Sequence, residues 1–89
     1  MPDVAAVIVT YNALLYVDRC LESVERHETV VVDHGSTDGT VELVRERFPR
    51  ATVVEQDNRG LAAGWNTGIR RTSAPYVLVL NADAWIVRD

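Results

Sequence analysis

Three short polar clusters each stand at the end of an apolar run: Thr10-Tyr11-Asn12, Asp33-His34 and Asn81-Ala82-Asp83. The carboxylate of Asp83 is a hard oxygen donor of the kind that suits Mg²⁺ or Mn²⁺. Alternate residues of an extended segment point the same way, so Asn81 and Asp83 would address one ligand together. Asn and Asp also favour turns, and a turn closing the strand is the competing reading. The set suits a nucleotide whose base rests near Tyr11 and whose phosphates reach a metal held by Asp83.

The elements that must position these clusters can be read from the apolar pattern. Tyr76 to Leu80 is a continuous apolar run that reads as a strand buried on both faces, as in a parallel sheet. Val4 to Thr10 is a second such run. Leu14, Val17, Leu21 and Val24 then recur at helical spacing, with Asn12 as N-cap and Cys20 as core filler beside the stripe. Thr29 to Asp33 is a short buried strand. The turn from Asp33 to Thr40 leads into a helix capped by Ser36 or Thr37, with Asp38 at the positive end of its dipole. Val41, Val44 and Phe48 mark its buried side, and Pro49 stops it.

Ala51 to Gln56 is a third strand, nearer an edge. The helix from Leu61 to Arg71 carries Gly60, Gly64 and Gly68 on one face, although each interior glycine costs a helix about 1 kcal/mol relative to alanine. Two explanations stand level: tight packing on the sheet, or a ligand close to the helix backbone. Ser73-Ala74-Pro75 breaks this helix, and Ala84 to Val87 would start one more short strand.

Strand and helix therefore alternate, which predicts a three-layer α/β/α, Rossmann-like domain with right-handed connections. In strand order 3-2-1-4 the first and fourth strands are neighbours, and ligands bind at the carboxyl ends beside that switch point. The three polar clusters then converge on one rim.

Composition narrows the function. The 89 residues fit one small domain, 47% hydrophobic and 25% charged, which is ordinary globular composition. A net charge of -4 argues against a general nucleic-acid binder. The single Cys20 forms no internal disulfide and no cysteine-based zinc site. Without a visible signal peptide or an apolar run of about 20 residues, a soluble protein of a reducing compartment, the cytoplasm, is expected. No Gly-x-Gly-x-x-Gly follows the first strand and no Gly-x-x-x-x-Gly-Lys-Ser/Thr occurs, which disfavours dinucleotide binding and P-loop hydrolysis. A receiver-type domain with Asp33 and Asp83 in phosphoryl chemistry is disfavoured because the chain contains no lysine.

The sequence resembles the family 2 inverting glycosyltransferases of the GT-A fold. Four segments carry the likeness: Val-Ile-Val-Thr-Tyr-Asn at 7–12, Val-Val-Asp-His-Gly-Ser-Thr-Asp-Gly-Thr at 31–40, Asn-Arg-Gly-Leu-Ala-Ala-Gly-Trp-Asn-Thr-Gly-Ile at 58–69, and Tyr-Val-Leu-Val-Leu-Asn-Ala-Asp at 76–83. The look is closest to the rhamnosyltransferase-like branch, with Asn-x-Asp in place of Asp-x-Asp. The resemblance implies a nucleotide-diphosphate sugar as ligand, with UDP or dTDP as the nucleotide. Thr10, Tyr11 and Asn12 would lie at the nucleoside, Asp33 and His34 at the base, and Asn81 near the ribose. Gly64, Asn66 and Ala82 match donor-site motif positions, and Asp83 would coordinate Mn²⁺ or Mg²⁺.

Two residues depart from the pattern. His34 replaces the usual Asp or Asn, which opens base recognition to pH. Asn81 lacks a charge, which weakens metal affinity. Family members also continue into an acceptor-binding half that carries the catalytic base. Residues 1–89 are therefore expected to be a single truncated domain, the donor-binding half, without transfer activity of its own. The alternative is a non-catalytic module binding a nucleotide or a protein. A sheet ending at the fourth strand has an unpaired edge, so homodimerisation is expected as well.

Overall fold

The computed structural model describes residues 3–87. Seven elements follow one another: β1 (Val4–Thr10), α1 (Val17–Val24), β2 (Glu28–Asp33), α2 (Thr40–Arg47), β3 (Thr52–Glu55), α3 (Leu61–Arg70) and β4 (Tyr76–Asn81). The four strands form one sheet in order β3-β2-β1-β4, and every pairing is parallel. This is the predicted topology, with β1 and β4 adjacent.

Alternation along the strands divides the core in two. Ala6, Ile8 and Val31 pack with Val17, Leu21 and Val24 of α1 and Val44 of α2. Val7, Val9, Val30 and Val32 face the other way, with Trp65 of α3 against them. A central parallel strand covered on both faces needs apolar residues at every position, and residues 5–10 of β1 are all buried.

Four local expectations fail, each for a physical reason. β4 is not buried on both faces. It is an edge strand, with Tyr76 68% and Val79 38% exposed, because α3 packs over β1 and β2 instead. An apolar run reports that a strand is apolar, and leaves open what covers it.

Asn12 does not cap α1, which begins after Tyr16. Asn12 takes a left-handed backbone, φ 48°, and residues 13–16 form a separate turn in which Ala13 O accepts from the N–H groups of Tyr16 and Val17. The N–H groups of residues 12, 13 and 14 all donate to the β2–α2 connection instead. Neither Ser36 nor Thr37 caps α2, whose N-cap is Gly39 at φ 96°. Residues 84–87 form no strand.

Candidate functional site

The rim lies where the carboxyl ends of β1, β2 and β4 meet. Thr10 is the register partner of Asp33, and Val9 that of Asn81. Two of the three polar clusters are thus joined directly. The Thr10 hydroxyl donates to Asp33 Oδ1 at 2.6 Å, and the backbone N–H of His34 donates to Thr10 O at 2.9 Å.

The connections after β1 and β2 are stitched by two parallel relays. In the first, Asn12 N–H donates to Ser36 Oγ (2.8 Å), and that hydroxyl donates to Asp33 Oδ1 (2.6 Å). In the second, Ala13 N–H donates to Thr40 Oγ1 (3.0 Å), whose hydroxyl donates to Asp38 Oδ1. Each relay runs from a backbone amide through a hydroxyl to a carboxylate, so charge-assisted bonds terminate both. Two further bonds close the seam: Thr37 N–H to Asn12 Oδ1 (2.8 Å) and Leu14 N–H to Asp38 Oδ2 (3.1 Å). The Thr40 hydroxyl beside Asp38, helped by the backbone N–H groups of Leu14 and Thr40, holds its carboxyl below the usual carboxylate range. Local sequence signals give Ser36 a capping role and Asp38 a dipole role, and give Thr40 none. Their hydroxyl and carboxylate types were the available signal.

Tyr11 sits above this seam and is 58% exposed, its ring displayed at the rim. His34 faces the other way. It is buried beneath α3, where Gln56 Nε2 lies 3.1 Å from His34 Nε2 and Thr67 Oγ1 donates to Gln56 Oε1 at 2.9 Å. Gly64 lets the helix approach this ring. A Cβ there would stand 2.7 Å from Val9 Cγ2 and 2.8 Å from His34 Nε2, and a Cβ at Gly68 would overlap Val7. Close packing of α3 on β1 therefore explains both interior glycines. Gln56 and Thr67, absent from the sequence-based site, join the base-side residue to α3.

Asn66 is exposed on α3 and opens into a hollow of about 660 Å³ that also includes Gln56, Arg59, Thr67 and Arg70. A smaller cleft of about 320 Å³, lined by Leu21, Arg26, His27, Phe48 and Arg50 among others, precedes β2 and β3 and so lies at the opposite end of the sheet. It has no part in the rim.

Asn81 and Asp83 do not share an extended segment. β4 ends at Asn81, and Ala84 N–H donates back to Asn81 O (3.0 Å), closing a turn with Ala82 packed on the core. The geometry is that of a turn, and Asp83 within it is exposed to solvent. Cys20 of α1 lies beneath, its thiol donating to Asn81 O at 3.6 Å. Burial, with the Asp83 charge adding to it, pushes that thiol up to about 11.

The carboxylates differ in availability. Those of Asp33 and Asp38 are occupied by the protein's own donors, whereas Asp83 accepts no hydrogen bond from the described residues. No cluster of three His, Cys, Asp or Glu side chains forms a cage among the described residues. One exposed hard-oxygen ligand fits a cation that arrives with a diphosphate, since such ions keep phosphate and water oxygens and take one or two protein carboxylates.

An open parallel sheet with polar residues gathered along its carboxyl-end rim defines a Rossmann-like α/β domain, a class that takes its ligands at that rim. The chain belongs to glycosyl transferase family 2, whose profile matches residues 5–89. It is 35% identical over 94 residues to glycosyltransferase GlyA of Streptococcus pneumoniae, covering 97% of this chain and 14% of that protein. It is 30% identical over 96 residues to the putative glycosyltransferase EpsH of Bacillus subtilis, covering 99% and 28% respectively. The chain thus spans under a third of each of these two relatives.

Among solved structures, the mannosyltransferase PcManGT of Pyrobaculum calidifontis in complex with GDP-Man and Mn²⁺ superposes with a TM-score of 0.82 at 34% identity, over 94% of this chain and 28% of that one. Residues 1–349 of S. aureus TarS in complex with UDP superpose with a TM-score of 0.84 at 25% identity, over 96% and 28%. The GT-A architecture is confirmed by these matches. Among the described residues no helix is long and apolar enough to cross a membrane.

Proposed function

We propose that this chain is the nucleotide-sugar-binding half of a family 2 glycosyltransferase, taking a UDP- or dTDP-sugar with a divalent cation at Asp83. The observation that carries the reading is the rim itself. Register places Thr10 against Asp33 and Val9 against Asn81, so Tyr11 and Asp83 flank the switch point of the sheet. The relatives' complexes with UDP and with GDP-Man and Mn²⁺ lend support.

In this reading Tyr11 offers its ring to the base and Asn81 its amide to the ribose. Thr10, Asn12 and Asp33 hold the seam on which the nucleoside rests. His34 and Gly64 support the base side from beneath, Asn66 flanks it from α3, and Ala82 seats the metal turn. An Asn-x-Asp turn at 81–83 and a dTDP-sugar would match the rhamnosyltransferase-like branch. The protein is acidic overall, so a diphosphate is repelled unless a cation intervenes. When bound, that cation would neutralise the diphosphate as leaving group. Transfer further requires a base on the acceptor side, which the larger part of the longer relatives would supply. A reducing, cytoplasmic setting suits the free thiol of Cys20.

Calorimetric titration with UDP and dTDP, in Mn²⁺ and in chelator, tests the reading. Weak binding that tightens with Mn²⁺ in wild type, and loses only the metal-dependent part in Asp83→Asn, is expected. Equal metal enhancement in both proteins would reduce Asp83 to a turn residue.

A further inference from the structure

The Asp83 carboxylate has no hydrogen bond of its own among the described residues, so whatever fixes its position must act on the turn around it. Two consecutive residues of α1 do so from either side. Cys20, fully buried, donates its thiol to Asn81 O just before Asp83. The Arg19 guanidinium stacks over the Trp85 ring just after it, 4.1 Å from the ring centroid. Ala82 packs on the core between them.

We propose that Arg19 and Trp85 are positioning residues for the metal turn, a clasp that locks residues 81–85 onto α1 so that Asp83 meets its cation already ordered. The inference rests on the nucleotide-sugar reading given above. Three features separate the clasp from ordinary packing. Arg19 is exposed, Trp85 keeps 36% of its surface exposed, and neither side chain belongs to a core cluster, so the contact closes no part of the core. Among the described residues, the Arg19 guanidinium forms no ion pair, and Trp85 is its recorded partner. The contact also falls two residues beyond Asp83, an exposed carboxylate that accepts no hydrogen bond from the described residues. A cation coordinated by a single side chain gains most when that side chain loses little freedom on binding, which is the general advantage of preorganisation.

The test combines two readouts on Arg19→Ala, Arg19→Lys, Trp85→Leu and the double variant Arg19→Ala/Trp85→Leu. The first is UDP affinity with and without Mn²⁺. Arg19→Ala and Trp85→Leu should each lower the Mn²⁺-dependent enhancement about two- to fivefold, the size of an exposed cation–π contact, and leave affinity in chelator unchanged. The double variant should be no worse than either single one, because both remove the same contact. Arg19→Lys keeps the cation and should retain most of the enhancement.

The second readout is hydrogen exchange of the Ala84 amide, which closes the turn, in ligand-free protein. It should quicken in Arg19→Ala and Trp85→Leu and stay near wild type in Arg19→Lys. Unchanged Ala84 exchange, equal affinity losses with and without Mn²⁺, or failure of Lys to rescue would each overturn the clasp. A wild-type protein without any metal enhancement would instead overturn the nucleotide-sugar reading, and Ala84 exchange would still decide whether Arg19 and Trp85 order the turn.

Discussion

Thr10 and Asp33 stand 23 residues apart in sequence, face each other in register at the carboxyl ends of the two central strands, and share a 2.6 Å hydrogen bond. Asp33 is only 1% exposed and also accepts from the hydroxyl and the backbone N–H of Ser36. A buried carboxylate is tolerated because these donors replace its water. The same bonds join the end of β1 to the connection after β2, so this carboxylate builds the rim.

The first prediction follows from that geometry. Asp33→Ala strands two hydroxyls and one amide, and should destabilise the fold by about 3 kcal/mol. Thr10→Val removes one donor and leaves the Ser36 bonds, and should cost about 1 kcal/mol. Urea titration with unchanged slope measures both. A larger loss for Thr10→Val than for Asp33→Ala would contradict the seam.

The second prediction concerns Gly68. Alanine there would gain about 1 kcal/mol of helix propensity. Its Cβ, however, would overlap Val7 Cγ1 in the core of β1. Overpacking of this kind costs about 1–3 kcal/mol, so Gly68→Ala should be net destabilising. Val7→Ala opens the space it needs. Thermal unfolding of the two singles and the double should show the substitutions compensating one another, and simple additivity would mean the helix does not rest on Val7.

How much of this was legible in the sequence depends on how far away the partners lie. The strand order could be read because Val4–Thr10, Thr29–Asp33 and Tyr76–Leu80 are apolar runs separated by helical patterns, and topology does the rest. Asn12 reads as a helix cap in the sequence because a cap is a local signal, whereas its partners Ser36 and Thr37 are 24 and 25 residues away. Asn81 and Asp83 looked like one extended segment until Ala84 folded back onto Asn81. The spacing of Gly60, Gly64 and Gly68 announced a close approach to the α3 face. That the approaching groups are Val7, Val9 and His34 is a tertiary fact.

The third prediction is self-association. Among the described residues β4 is paired on one side only, and Tyr76 and Val79 on it and Leu61 and Ile69 on α3 are exposed. Open strand edges beside apolar surface recruit further strands. Light scattering of the 89-residue chain should show mass above that of a monomer at high concentration. Val79→Lys, which puts a charge on the exposed face of that edge, should shift it towards monomer. A wild-type chain that stays monomeric throughout would count against the open edge as an association site.

The fourth prediction is a loss of stability at alkaline pH caused by Cys20. The thiol is buried, and burial together with the nearby Asp83 charge raises it from the ordinary 9.0 to about 11. Between those values the unfolded chain releases a proton that the folded chain retains. Fewer protons are then bound in the unfolded state, so stability falls as pH rises from about 9 and levels off above about 11. Two units correspond to an upper bound of about 2.7 kcal/mol. The Asp83 share is screened by water and counterions, so a loss of about 1–2 kcal/mol is expected. Cys20→Ala isolates the thiol by removing its share of the slope. Asp83→Asn should remove a smaller share, because burial is the larger cause. Denaturant midpoints at pH 8, 9, 10 and 11 for the three proteins decide it. Identical slopes in wild type and Cys20→Ala would mean that the thiol does not lie buried beneath the Asn81–Asp83 turn.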